Sequence, residues 1–181
     1  MQAMNLVLKR TREMSLMNKI MLAFGMATLT WALSQVKLFL PWTPVPVTCQ
    51  TFAVLLAGIV LGRNWGAVSQ IIYVALFTGF NAIIGPTGGY LLGFILAASF
   101  VGYVSDKFEW SKGFYQMLGV MIFANFILIY LPGLIQLNIW LYLFKGTSSD
   151  IVQLLYAGVM PFVAGDIIKI ISAALIARAL K

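Results

Sequence analysis

The sequence predicts an all-α integral membrane protein, a bundle of six transmembrane helices with both termini in the cytoplasm. Of its 181 residues, 61% are hydrophobic and only 9% are charged, whereas soluble domains average about 25% charged residues. The apolar runs are long and do not alternate with polar residues, which is typical of helices rather than barrel strands. At roughly 20 residues per span, the chain has room for six helices and short loops.

The first half of the chain is predicted to hold three of the spans. The first covers residues 20–40 and is followed by "PWTPVPVT". Three prolines within six residues cannot continue a helix, so we expect an ordered or re-entrant loop there. A short second span covers residues 47–61, "GRNWG" makes a tight turn, and the third span covers residues 65–84.

The second half supplies the other three spans. The fourth covers residues 88–104 and is followed by the charged loop "SDKFEWSKG". The fifth covers residues 115–141 and is predicted to be interrupted at Pro132–Gly133, because proline removes a helical hydrogen bond. After the polar loop "KGTSSD", the last segment covers residues 151–180, with Pro161 as a predicted kink or break.

The chain has no room for a soluble domain and no repeat long enough to indicate an internal duplication. We therefore predict a single transmembrane domain over residues 1–181, with a basic cytoplasmic segment at 1–19 and six helices within 20–181. The first apolar run is long and lacks a clear small-residue cleavage site, so it is interpreted as a retained helix rather than a signal peptide.

The distribution of positive charge predicts the topology. If the N-terminus is inside, Lys37 and Lys145 face outside and Lys169 lies within the membrane. The net charge of +7 then indicates basic helix ends near the lipid surface rather than a nucleic-acid partner, as the positive-inside rule describes. Nine of the twelve basic residues fall on the cytoplasmic side: Lys9, Arg10, Arg12, Lys19, Arg63, Lys107, Lys112, Arg178 and Lys181.

Several kinds of chemistry are excluded by composition. The single cysteine, Cys49, excludes a disulfide framework and a cysteine-based metal cluster within one chain. The absence of histidine removes histidine metal sites and histidine general bases. No nucleotide-binding motif is present, and the chain has no duplicated half from which to build a symmetric carrier. We expect binding without chemistry, cofactor or metal, with energy coupling supplied by other chains.

The outstanding polar feature is the pair Asp166 and Lys169 inside the last apolar segment. Asp166 precedes Arg178 by twelve residues, which places it roughly 18 Å from the inner interface and nearer the outer face. The i, i+3 spacing puts both charges on one helix face. The pair is interpreted either as a self-neutralising staple or as a cavity site for a polar solute. "PFVAG" is predicted to break the helix just outside Asp166.

The stretch "NAIIGPTGGYLLGF" adds candidate binding residues on the same outer side. One interpretation is a turn followed by a helix that Thr87 caps. The other is a ligand contact, in which free N–H groups at the helix start, near Gly88, meet a polar group. Asn81, Thr87 and Tyr90 would then lie close to that ligand.

Small residues recur every four positions in two helices. Gly89, Gly93 and Ala97 form such a stripe, for which helix packing is a sufficient explanation. Ala23 and Ala27, in "AFGMA", form a second pair. For that pair internal packing and docking against a partner membrane protein are both open.

Three motifs, "PWTPVPVTCQTFAVLLAG", "GPTGGYLLGF" and "PFVAGDIIK", occur in this order. Together they resemble the BioY family, the biotin-binding S component of energy-coupling-factor (ECF) transporters, from about residue 20 to the C-terminus. The resemblance implies a six-helix substrate-binding domain and a biotin site that includes Asp166 and Lys169. It also implies docking of Ala23 and Ala27 to a transmembrane T component. Gln50, in the first motif, joins the candidate binding residues.

The chain departs from the family pattern in two places. The connection before "GPTGGY" is short, where the family often carries a longer glycine-rich insert, and Ala164 stands where proline is expected. The first departure concerns the outer lid and the role of Asn81. The Asp166 and Lys169 pattern is unaffected.

The resemblance implies a multi-pass cell-membrane subunit that captures biotin from outside and works with a T component and two ATPases. Lys169 is the expected cationic partner of biotin and Asp166 the expected acceptor, without an assignment of the two ends of the ligand. Three alternatives stay open at this point. They are an S component for another vitamin or small solute, a small membrane enzyme with Asp166 as base, and a structural membrane subunit.

Overall fold

The computed structural model describes residues 14–146 and 150–180, most of them helical. The predicted basic residues Lys9, Arg10, Arg12 and Lys181 lie outside this part of the chain. Within it, five helical segments are long and apolar enough to cross a membrane: Leu16–Gln35, Gln50–Thr78, Gly88–Lys107, Phe114–Phe144 and Met160–Ala179. The prediction of a helical membrane protein is therefore confirmed.

The proline-rich segment forms a small hairpin after the first helix. Helix α1 (Leu16–Gln35) is capped by Ser15, whose hydroxyl accepts a hydrogen bond from the Asn18 N–H. Two short strands, β1 (Lys37–Leu38) and β2 (Val47–Thr48), then pair antiparallel, with Lys37 opposite Thr48. The first helix ends before the predicted residue 40 because the chain from residue 37 is already extended.

The second helical segment, α2 (Gln50–Tyr73), folds back on itself at Gly62. Gly62 has φ 73° and ψ −173°, a conformation that favours glycine. The Gln50 side-chain amide donates to the Tyr73 hydroxyl, although a straight helix would hold these residues roughly 35 Å apart. The segment is thus a helical hairpin, and the predicted turn at "GRNWG" is confirmed.

Close backbone approach holds the two arms of this hairpin together. A Cβ on Gly66 would lie 3.1 Å from the Gly58 Cα, so a larger residue there would require the arms to shift by a few tenths of an ångström. The Asp106 carboxylate accepts the Arg63 N–H at 3.0 Å. This hydrogen bond satisfies a backbone N–H at the start of the second arm, where the first N–H groups have no acceptor within their own helix.

The hairpin leads into the central helix. A π-helical stretch (Val74–Thr78) and a short helix, α3 (Phe80–Ile84), precede α4 (Gly88–Lys107) and a 3₁₀ turn (Glu109–Lys112). Helix α4 packs against α2 on one side and against the next helical segment on the other.

The predicted packing role of the glycine stripe in α4 is confirmed. A Cβ on Gly89 would lie 2.0 Å from the Pro132 carbonyl oxygen, and one on Gly93 would lie 2.5 Å from the Ile129 Cα. Ala97 has no exposed area.

Helices α5 (Phe114–Phe123) and α6 (Tyr130–Lys145) are joined by a π-helical stretch (Ala124–Ile129). The predicted interruption at Pro132–Gly133 is wrong, because the helix runs through both residues. Proline lacks an N–H and clashes with the carbonyl four residues earlier. The wider π turns immediately before Pro132 accommodate this defect without ending the helix.

The C-terminal part consists of α7 (Ile151–Gly158) and α8 (Met160–Ala179). The break between them lies at Val159, which has φ −129° and ψ −57°. Pro161 lies in the first turn of α8, where a missing N–H costs no helical hydrogen bond. The predicted opening of the helix at "PFVAG" is wrong, since these residues form the start of α8 and Asp166 lies well inside it.

Candidate functional site

A cavity of about 490 Å³, including its open mouth, lies between the β hairpin and helices α2, α4, α6 and α8. By area its wall is mostly apolar, and six of its fourteen lining residues have apolar side chains: Val45, Pro46, Leu91, Phe94, Ile129 and Phe162. The polar lining includes five of the predicted binding residues: Gln50, Thr87, Tyr90, Asp166 and Lys169.

Asp166 is held by donors from four parts of the fold. Its side chain is almost completely buried, with 2% of the residue exposed. Oδ1 accepts from the Thr51 hydroxyl at 3.1 Å and from the Lys169 ammonium at 2.7 Å. Oδ2 accepts from the Asn125 amide and the Tyr130 hydroxyl, both at 2.7 Å. A carboxylate offers about four lone-pair sites, so the acceptor capacity of Asp166 is filled.

Lys169 lines the cavity beside this carboxylate. Its ammonium donates to Asp166 Oδ1 and to the backbone carbonyl of Thr48 in β2. An ammonium has three N–H donors, and the Lys169 side chain is 13% exposed. The predicted placement of both charges on one helix face is confirmed. The pair is an intrahelical ion pair that also lines a cavity.

The start of α2 connects this ion pair to a second series of side-chain hydrogen bonds. The Thr48 hydroxyl donates to the side-chain oxygen (Oε1) of Gln50 at 2.7 Å. The side-chain nitrogen (Nε2) of Gln50 donates in turn to the Tyr73 hydroxyl. Gln50 is buried. These bonds fix the hairpin end over α2 and orient the wall that carries Thr48.

Residues of the "GPTGG" turn are placed differently from the prediction. Thr87 lies at the N-cap position of α4, but its hydroxyl donates to the Ala82 carbonyl at 3.2 Å instead of capping the helix. The Gly88 N–H donates to the Gly85 carbonyl at 3.3 Å. The predicted capping by Thr87 and the free N–H at Gly88 are therefore wrong.

Two predicted binding residues do not line the cavity. A Cβ on Gly88 would lie 1.8 Å from the Ile83 carbonyl oxygen, so backbone covers this residue. Asn81 lies on α3 with an exposed side chain. Neither is among the residues that surround the cavity.

Aromatic rings form one wall of the cavity. The ring centroids of Tyr90, Tyr130 and Phe162 lie 6.3 Å from one another in all three pairs. The Tyr90 hydroxyl donates to the Gly158 carbonyl at 2.8 Å. This bond satisfies a carbonyl at the end of α7. The three rings, tilted by 60–73° to one another, present an aromatic surface near the charged pair.

Sequence reasoning missed the residues that support Asp166. Asn125 interrupts an otherwise apolar run, "MIFANFILIY", and is fully buried. The argument that singled out Asp166 applies to this amide too, because a polar group in hydrocarbon requires a partner. Thr51, Tyr130 and Phe162 gave no such signal, since only the folded chain brings them together.

The two alanines predicted for partner docking have no exposed area. Ala23, Ala27 and Thr30 are the buried residues of α1, and the Gln70 amide of α2 donates to the Thr30 hydroxyl at 3.4 Å. This arrangement is the internal packing alternative. A partner could contact Ala23 or Ala27 only after α1 had moved away from α2, and the docking role of the two alanines stays a prediction.

Comparisons with known proteins agree with this architecture. A probable biotin transporter BioY from Methanothermobacter thermautotrophicus is 43% identical over 69% of this chain and 87% of the relative. A biotin transporter BioY from Thermotoga maritima is 39% identical over 78% of this chain and 84% of the relative.

A solved structure and a family model complete the comparison. The 2.1 Å crystal structure of the S-component for biotin from an ECF-type ABC transporter matches with a TM-score of 0.80. The match covers 92% of this chain and 94% of that one at 21% identity, which shows the same fold. The BioY family model matches residues 4–181. This chain belongs to the BioY family.

Proposed function

We propose that this chain is the substrate-specific membrane subunit that binds biotin from the outside for uptake by an ATP-driven ECF transporter. The observation that carries the proposal is the Asp166–Lys169 pair, held at the wall of a cavity whose surface is mostly apolar. Apolar and aromatic walls suit the thiophane ring and aliphatic chain of biotin. The relatives named as biotin transporters point to the same ligand.

The proposal includes six membrane segments, with both termini in the cytoplasm of a cell-membrane protein. The reversal at Gly62 supports this count, because it divides one of the five long apolar segments into two antiparallel arms. The concentration of lysine and arginine on one side supports the orientation. The whole chain then acts as one binding domain.

Within the site, we assign Asp166 the role of orienting Lys169 rather than of contacting biotin. Its oxygens already accept four donors. Lys169 donates two hydrogen bonds within the chain, which leaves its third N–H for the ligand. Since the pair is neutral overall, a neutral acceptor such as the ureido carbonyl fits this position better than a carboxylate, which would add an unpaired buried charge.

Transport would require a T component and two ATPase subunits, while this chain binds without a cofactor and performs no chemistry. The enzyme alternative requires Asp166 as a general base, but every acceptor position of this carboxylate is already occupied. The structural-subunit alternative leaves the cavity beside the pair without a role.

Calorimetric titration of purified protein with biotin and with a panel of other vitamins tests this proposal. We expect biotin alone to bind at micromolar concentration or below. Lys169→Met should weaken biotin binding by at least about tenfold through loss of the bond to the ligand and of the Thr48 contact. Lys107→Met, at the far end of α4, is the matched control and should bind as wild type. Preference for another vitamin, or unchanged binding in both Lys169→Met and Asp166→Asn, would contradict the proposal.

A further inference from the structure

A second cavity of about 620 Å³, including its open mouth, adjoins the first. Five residues line both: Pro46, Thr48, Gln50, Thr87 and Leu91. By area more than half of its wall is polar, whereas the wall of the first cavity is mostly apolar. Eight of its twelve lining residues have polar side chains: Ser34, Gln35, Lys37, Thr48, Gln50, Tyr73, Thr78 and Thr87. The two cavities thus offer one ligand an apolar part and a polar part that share a wall.

Lys37 is the charged residue among the lining residues of this second cavity. Within residues 14–146 and 150–180, Lys37 makes no ion pair and no side-chain hydrogen bond. The charges of the first cavity, Asp166 and Lys169, neutralise each other. Across both cavities, the described lining therefore carries one uncompensated positive charge, and it lies at Lys37.

The hairpin places this charge at a short distance from the ion pair. Lys37 is the cross-strand partner of Thr48, and paired residues of antiparallel strands lie about 4.5–5.5 Å apart at their Cα atoms. The carbonyl of the same Thr48 accepts from Lys169. Two lysines from different elements thus flank one residue of the shared wall, one paired with an acid and one unpaired.

We propose that Lys37 forms an outer subsite for the carboxylate of the ligand, in the second cavity. This inference rests on the proposed function. A molecule with a neutral hydrogen-bonding ring and a carboxylate on an aliphatic chain then spans both cavities. The ring meets Lys169, the chain passes the apolar shared residues Pro46 and Leu91, and the carboxylate meets Lys37. An anion is drawn to the one uncompensated cation of the lining.

Biotin and biotin amide, which lacks the negative charge, distinguish this subsite from the Asp166–Lys169 pair. We expect wild type to bind biotin about tenfold more tightly than the amide, the size of one charge-assisted contact. Lys37→Gln should remove that preference by weakening biotin binding about tenfold, with amide binding unchanged. Lys37→Arg, which keeps the charge, should retain most of the preference, and added salt should reduce it.

Other outcomes identify which idea fails. If wild type binds neither ligand, the proposed function and the subsite fall together. If wild type binds biotin and Lys37→Gln binds it equally well, the subsite alone is wrong. If Lys169→Met, rather than Lys37→Gln, abolishes the preference for biotin over its amide, the carboxylate meets Lys169 and the subsite is overturned. Equal weakening of both ligands by Lys37→Gln would also overturn it.

Discussion

Replacing Asp166 by asparagine keeps the shape of the side chain and removes its charge. The Lys169 ammonium would then have only neutral oxygen acceptors and no counter-charge, in a side chain that is 13% exposed. Asparagine also brings an NH₂ group to a place where four donors already converge. Breaking one side of a buried ion pair costs about 3–5 kcal/mol. We expect Asp166→Asn to lower the free energy of unfolding by that amount.

The double variant Asp166→Asn/Lys169→Met tests the cause of this loss. It leaves no unpaired charge, so it should lose at least about 2 kcal/mol less than the sum of the two single variants. Reversible unfolding in mixed micelles, followed by tryptophan fluorescence, measures all three. Asp150→Asn is the matched control, because Asp150 is exposed at an N-cap where asparagine is equally suitable.

Two results would refute the reasoning. If Asp166→Asn were as stable as wild type, the carboxylate would not be compensating the ammonium. If the losses of the single variants added without coupling, Asp166 and Lys169 would stabilise the fold independently. In the second case the pair would have no common electrostatic role, and the assignment of Asp166 as the group that orients Lys169 would fail.

Two further predictions concern packing. Ala27→Trp should destabilise the isolated chain by at least about 1–3 kcal/mol and weaken biotin binding, because Ala27 has no exposed area. Thermal unfolding and titration measure the two effects. If the variant had the stability and the biotin affinity of wild type, a docking surface would be favoured instead. Gly93→Val should cost about 1–3 kcal/mol, because its Cβ would lie 2.5 Å from the Ile129 Cα. Gly119→Val is its control, with nothing within 4 Å of the added Cβ, and equal thermal stability of the two variants would contradict the packing argument.

Composition and periodic patterns were sufficient for the helical membrane class and for the placement of Asp166 and Lys169 on one helix face. The turn near Gly62 was also predictable, since two glycines around polar residues separate two apolar runs. These features depend on neighbours in the sequence. They could be read without knowledge of the tertiary structure.

The errors occurred where local rules compete with packing. Pro132 was expected to interrupt its helix, but the preceding π stretch absorbs the lost hydrogen bond. Ala23 and Ala27 fit a docking motif and an internal contact equally well, and only the position of α2 reveals the internal contact. Thr51 and Tyr130 come from distant parts of the chain, so their convergence on Asp166 could not be derived from spacing.

The π-helical stretch before Pro132 has a consequence for the binding site. Asn125 and Tyr130 are five residues apart, a separation that points side chains about 140° apart on an α-helix. Hydrogen bonds of a π-helix join residues five apart and bring such positions towards one side. Both side chains reach the same Oδ2 atom of Asp166. The π-helical stretch therefore sets the angular register of the residues that hold Asp166, although most of its own residues line no part of the cavity that contains the pair.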